Sequence, residues 1–419
     1  MRSKRSLNLS VLFILFGVMA MIALGGQYQA VEAKVIKIGI LAPLTGPASA
    51  DGEDYVRAVK WAVDEANKAG GIAGYTFEIE TADVKDMSAA NVTSAAERLL
   101  GDADIHFIIT GYASLSNFEI DLMKEAGMPF MIAGPAGATA GIIGKAPEDY
   151  WCCWSFTASF KGYETALLPL VEKLAKAGKI KLKNKTVAII SSDNPYSKTI
   201  SEGMKTVFKK GGWKVTVDEL VPFGEVSDWR AILAKVRQNP PDLVVNTDYL
   251  PGNSALFLNQ FLEDPTDSLV FLQYAPLVPE FLKLTGKNAN GVLYNAIGGP
   301  LDTPKWPLGQ ERLKEYRNRY KAEPGPYGIG LYDMMQFYFD ALRQVGDPTK
   351  HKAIAQAIGK MKRDTAAGVL AFDPATHLAI QDVDHIPVTF YQIWDGKGIL
   401  ISPSKYAVGS FKPAPWMSK

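Results

Sequence analysis

From Val35 onward, short runs of β-branched and apolar residues alternate with stretches whose apolar side chains recur every three to four positions. That alternation restricts the fold more than any other feature. Val35–Leu41, Phe77–Thr81, Phe107–Thr110 and Pro129–Ala133 read as strands. Between them, Tyr55, Val59, Ala62, Val63 and Ala66 sit at i, i+4, i+7, i+8 and i+11, one face of a helix, and Ser88–Leu100 and Leu115–Ala126 continue the series. Gly70-Gly71 follows the first helix, where glycine ends a helix readily.

A second series begins near Tyr163. A helix over Tyr163–Ala177 carries Pro169, which predicts a kink or a late start. Strands follow at Val187–Ile190, Leu243–Val245 and Leu269–Leu272. Helices are predicted around Trp229–Val236, at Ser254–Phe261, Gln310–Lys321, Leu331–Val345 and Ala353–Met361, with a β-rich end at Val388–Ile393. Strands alternating with helices build parallel sheets covered on both faces. Two series predict an α/β chain of two doubly wound parallel-sheet lobes, and 419 residues exceed what one hydrophobic core supports. Ligands of such sheets bind beyond the strand carboxyl ends, so the expected site is the cleft between the lobes. The Gly/Pro-rich stretches Gly134–Gly144 and Gly298–Pro307 are candidate crossings.

The first 33 residues follow a different logic. Arg2, Lys4 and Arg5 precede the apolar run of residues 9–26, and Val31-Glu32-Ala33 places small residues at −3 and −1 of a cleavage point. This predicts a secretory signal peptide over 1–33, an uncleaved membrane anchor being the rival reading. No cysteine follows the run, which argues against a lipoprotein. Removing residues 1–33 leaves 42 basic against 43 acidic side chains. A near-neutral chain without a basic run is a poor nucleic-acid binder. The two cysteines, Cys152 and Cys153, are adjacent, fit disulfide geometry poorly, and read as buried thiols of an apolar strand.

Catalytic signatures are missing from the sequence: no G-x-S-x-G elbow, no H-E-x-x-H, no P-loop. The glycines of Gly325-Pro-Tyr-Gly-Ile-Gly330 have the wrong spacing for a dinucleotide loop, and four dispersed histidines lack metal-ligand spacing. The expectation is a protein that is not an enzyme, with no cofactor and no metal.

The run Gly39–Pro47 (GILAPLTGP), then Gly52, Ala66–Gly74 and Asp83, resembles the branched-chain amino-acid (Leu/Ile/Val-type) family of type I periplasmic solute-binding proteins of ABC transporters. Pro129–Thr139, Asp193-Asn-Pro-Tyr196, Asp228–Val245, Gly325–Asp333 and Gly368–Pro374 fall in that family's order. The resemblance implies two lobes joined by three crossings: 34–155 with 299–385, and 156–298 with 386–419. It implies a periplasmic monomer that closes on a small organic solute and delivers it to an ABC permease with its ATPases. A ligand-sensing subunit of the same fold, and a dedicated branched-chain amino-acid binder, are the alternatives.

The resemblance also places candidate ligand contacts. Tyr112–Ser116, with Ala113 and the hydroxyl of Ser114, and Pro135–Thr139, with Ala136 and Thr139, match positions that hold a ligand carboxylate in the family. Tyr196 and Tyr249 match tyrosines that cover the ligand from the far lobe. Tyr274 and Trp154 join them in an aromatic set near the cleft. Where the family's amino-acid binders carry an acidic partner for the α-ammonium, this chain reads Gln273-Tyr-Ala-Pro276, so that charge falls to Asp51 or Asp248 if it exists. Asp51 reads either as a ligand to a cation or as a cap for a helix starting near Asp54. The aromatic set tilts the expected solute toward an aromatic or aliphatic acid, an amide or an amino acid.

Overall fold

A computed structural model of the chain describes residues 34–417. The expected signal peptide, residues 1–33, lies outside them. Five strands form the first sheet, in the order β2-β1-β3-β4-β5: β1 Lys34–Ala42, β2 Tyr75–Asp83, β3 Ile105–Thr110, β4 Phe130–Ile132 and β5 Cys153–Ser155. The pairs β1/β3, β3/β4 and β4/β5 are parallel. The second sheet joins β6 Thr186–Asp193, β7 Lys214–Pro222, β8 Leu243–Asn246, β9 Leu269–Leu272 and β10 Leu293–Ile297. After the short hairpin β11 Arg363–Thr365 and β12 Gly368–Leu370, the chain returns to that sheet as β13 Val388–Trp394 and β14 Lys397–Ser402. Its order is β14-β13-β10-β9-β8-β6-β7.

The central strands β8, β9 and β10 are buried at every position, as strands covered on both faces must be. Along β6 and β8 alternate side chains enter different cores: Val187, Ile189, Leu243 and Val245 one, Ala188, Ile190 and Val244 the other. The parallel expectation holds through β10 and then departs from the structure. β13 pairs antiparallel with β10, and β14 antiparallel with β13. Asp395-Gly396 joins those two strands with φ of 50° and 72°, the paired positive angles that a two-residue hairpin requires.

Pro169 breaks the helix expected over Tyr163–Ala177 into Lys161–Thr165 and Leu167–Lys176. It occupies the first turn of the second piece, where its missing N–H removes no helical bond. The stretch Gly134–Gly144 does not cross between lobes: it links β4 to β5 within one sheet and contains the helix Thr139–Ile143. Gly298 follows β10 on the way out of the second sheet. A Cβ there would lie 2.2 Å from Thr157 Cγ2, so the chain leaving the first sheet and the chain leaving the second run in contact. Among the described residues no helix is long and apolar enough to cross a membrane.

Candidate functional site

The carboxyl ends of five strands converge. Ser49–Lys68 begins the long helix after β1, β3 runs into Gly111–Asn117, and β4 into Gly134–Ala138. From the second sheet, β8 runs into Asp248–Leu250 and β9 into Gln273–Leu277. Two glycines let aromatic rings lie over these ends. A Cβ on Gly111 would stand 2.1 Å from Tyr55 Cζ, and one on Gly134 2.7 Å from the Tyr327 hydroxyl.

A cleft results, enclosing about 350 Å³ of space that is partly open to solvent. Tyr112, Ser114, Leu115, Asn117, Gly134 and Ala136 wall it from the first lobe, together with Tyr327 at the start of the helix Gly328–Val345. Phe160 comes from the connection between the sheets, and Tyr196, Tyr249 and Tyr274 come from the second lobe. The rings meet mostly edge to face: Tyr196 lies 4.6 Å from Phe160, 5.6 Å from Tyr249 and 6.0 Å from Tyr274 between centroids. No Lys, Arg or His is in this wall. A smaller space of about 230 Å³ shares Tyr112, Tyr249 and Tyr274 and adds Asp51, Leu250 and Val278.

Asp51 joins the two lobes. Its Oδ2 accepts hydrogen bonds from the hydroxyls of Tyr112 (2.6 Å) and Tyr274 (2.7 Å), while its Oδ1 is buried without a partner. Burial pushes this carboxyl up to about 6, against the two hydroxyl donors, which favour the charged form. The helix starts at Ser49, so Asp51 lies inside its first turn and makes no capping bond. The cap reading fails because the helix begins five residues before Asp54.

Tyr274 reaches Asp51 through a strained backbone. Its φ of 66° and ψ of −54° place it at the centre of a γ-turn, closed by the Ala275 N–H donating to the Gln273 carbonyl at 2.8 Å. Such a conformation in a bulky residue costs about 1–3 kcal/mol and persists only where the surroundings impose it. Two other hydroxyls have different fates. Tyr196 accepts from Gln273 Nε2 at 3.2 Å, whereas the buried hydroxyl of Tyr249 has no partner.

The donors expected to hold a ligand carboxylate are engaged inside the protein. Ser114 donates from Oγ and from its N–H to Glu119 (2.5 and 3.3 Å). Thr139 Oγ1 (2.8 Å) and the Ala136 N–H both donate to Asn117 Oδ1. Asn117 holds a left-handed φ of 57°, and its own N–H donates to Ser114 Oγ at 2.8 Å. Burial raises the Glu119 carboxyl despite these donors. An amide oxygen and a carboxylate of the chain therefore sit where acceptors of a bound acid were expected.

Of the predicted contacts, Ser114, Ala136, Tyr196, Tyr249 and Tyr274 line the larger cavity, and Asp51 lines the smaller. Thr139 touches the wall only through Asn117, and Ala113 is fully buried in the core behind β3. Trp154 lines neither space. Its ring stacks on His377 (4.1 Å between centroids) and meets Phe372 edge-on, because β5 turns it toward the helix His351–Lys360, where Gly359 leaves room. Asp248 turns back on its own helix start, accepting from the Leu250 N–H (3.1 Å) and Asn253 Nδ2 (2.7 Å). Phe160, Tyr327, Asn117 and Glu119 are wall or support residues absent from the predicted set. Only Tyr327 carried a signal, the motif Gly325–Asp333. Its glycines make room for Asp54: a Cβ on Gly328 would lie 2.2 Å from Asp54 Oδ2.

The sequence profile of the periplasmic binding protein family matches residues 35–396. The chain is 24% identical over 355 residues to Leu/Ile/Val-binding protein homolog 3 of Brucella melitensis, covering 83% of this chain and 90% of that one. It is 28% identical over 354 residues to Leu/Ile/Val-binding protein BraC3 of Rhizobium johnstonii, covering 83% and 89%. A crystal structure from Silicibacter pomeroyi, described as a branched-chain amino acid ABC transporter, superposes with a TM-score of 0.81 at 30% identity over 92% of this chain and 100% of that one.

Proposed function

The chain belongs to the periplasmic binding protein family, and we propose that it captures a small organic solute between its lobes and hands it to the permease and ATPases of an ABC importer. The observation that carries this reading is the aromatic cavity between two sheets, walled by rings from both lobes. A site split across two lobes is made by closing them, and closure supplies the form a permease can recognise. We read the chain as a monomer exported by residues 1–33 into the periplasm, with lobes of 34–155 with 299–385 and 156–298 with 386–419. In this reading it performs no chemistry: the cavity wall offers a binding surface, and Ser114, its hydroxyl nearest to a carboxylate, is held by a buried Glu119 without a neighbouring base.

The ligand contacts we propose are Tyr112, Tyr196, Tyr249, Tyr274 and Tyr327 with Phe160, and Asp51 at the lobe junction. A thermal-shift screen of amino acids, amides, amines and aromatic and aliphatic acids tests the proposal, because ligand bound to the native state raises the melting temperature with concentration. One class should raise it by several degrees at millimolar concentration. Turnover of an ester or amide by the purified protein, or the absence of any shift across all classes, would overturn it.

A further inference from the structure

Resting on the reading of this cleft as a solute site, we infer that the solute is an organic cation, an alkyl- or arylammonium, whose charged head is held by Asp51 Oδ1. Three independent observations converge. First, Asp51 is 4% exposed, lines the smaller cavity, and keeps one oxygen with no partner, while the hydroxyls of Tyr112 and Tyr274 donate to the other oxygen. An unpartnered carboxylate oxygen in a buried position is costly, and only a donor can relieve it. An ammonium supplies the donor and the opposite charge together.

Second, the cavity wall contains no positive side chain, and two carboxylates bonded to wall residues, Asp51 and Glu119, are both buried without a cationic partner. An anionic solute entering this space would find two like charges and no counter-charge. Its natural donors, the Ala136 N–H, Thr139 Oγ1 and Ser114 Oγ, are already occupied by Asn117 and Glu119. Third, Tyr112, Tyr249 and Tyr274 border both spaces, and two of their hydroxyls point to Asp51. Rings set within about 6 Å of a cation attract it through their faces. The head takes the smaller space beside Asp51, and the apolar body lies among the rings of the larger one.

Probes of one shape and three charges separate the possibilities. Titration calorimetry on the purified full chain compares benzylammonium and benzyltrimethylammonium with benzyl alcohol and benzoate. Binding of benzylammonium at least tenfold tighter than benzyl alcohol is expected, with benzyltrimethylammonium, which brings the charge but no N–H, weaker than benzylammonium, and benzoate weakest. Asp51→Asn, with folding verified by its own melting curve, should remove that tenfold preference. The comparison on the unmodified protein stands even if the variant fails to fold. Benzyl alcohol or benzoate binding as tightly as the cations would overturn the cation assignment and leave solute capture intact. Failure of every probe, together with a flat screen of amino acids, amides and acids, would overturn both.

Discussion

Asn117 and Glu119 engage the donors that the family resemblance assigns to a ligand, and each does so through one side-chain group. Asn117 tolerates its left-handed φ of 57°, as asparagine does better than most residues, and thereby aims Oδ1 at the Ala136 N–H and Thr139 Oγ1. Asn117→Gly keeps that backbone and deletes the acceptor. Two buried donors are left unpaired, and chemical denaturation should show a loss of about 1–3 kcal/mol. The same variant should gain a melting shift with benzoate that the unmodified protein lacks, since the acceptor in competition with a carboxylate is gone. A stable variant without benzoate binding would show that these donors face away from the solute. Tyr274→Phe tests the other strained position. The ring stays, Asp51 Oδ2 loses one of its two donors, and stability should fall by about 1–2 kcal/mol in urea unfolding.

At the scale of elements, most of the architecture was legible because buried parallel strands are short apolar runs that only β-branched-rich segments supply. Tyr249 and Tyr274 lie three and two residues beyond β8 and β9; the family resemblance pointed to the first, and the aromatic set near the strand ends to the second. Phe160 was not legible, because it reaches the cavity from the connection between the sheets and nothing local marks it; Tyr327 lies in the Gly325–Asp333 motif, but that motif does not tell which cavity its ring enters. The helix Pro195–Lys210 was readable but unread, with Asn194 as its cap, Pro195 at its start and Tyr196, Ile200, Met204 and Phe208 buried at spacing of four. β7 hid for a different cause: it is an edge strand with charges at Lys214, Asp218 and Glu219 and one buried position, Val217. Glycines in helices divide sharply by what lies above them. Gly328→Ala, with its Cβ 2.2 Å from Asp54 Oδ2, must displace a buried carboxylate or the helix that carries Tyr327, and should cost about 1–3 kcal/mol. Gly252→Ala, in the helix Pro251–Phe261 with nothing within 4 Å, should instead stabilise by up to about 1 kcal/mol. Paired urea titrations check both, and equal effects would refute the packing argument.

For the whole molecule, the buried acids set how stability follows pH. Burial raises Asp51, Asp54, Asp248 and Asp333 to about 6, against an unfolded value near 4. Between those values the native state binds more protons than the unfolded chain, so stability rises as pH falls from about 6 toward 4. Below that window the opposite set governs. Asp86, held down to about 2 by Asn91 and Ser88, and Asp83, Asp102 and Asp347, also held low, lose their stabilisation on protonation. The melting temperature should therefore peak near pH 4, above its value at pH 7.5 by what the raised acids gain beyond what His106, His351 and His377, whose pKa burial lowers, lose. A monotonic decline from pH 7.5 to 5 would refute the assignment of these carboxyls to a buried, unpaired environment. Ligand links the same titration to the cleft. The groups facing Asp51 are the hydroxyls of Tyr112 and Tyr274, the rings of Tyr55, Tyr249 and Tyr327, and the carboxyl of Asp54; none is positive. A bound ammonium is then the one positive neighbour, and it keeps Asp51 ionised. Benzylammonium, itself charged throughout this range, should give a smaller melting shift as pH falls below about 6, because protons compete for Oδ1. Asp51→Asn should leave whatever shift remains independent of pH from 5 to 7.5, and a shift that grows on acidification would place the charge recognition somewhere other than Asp51.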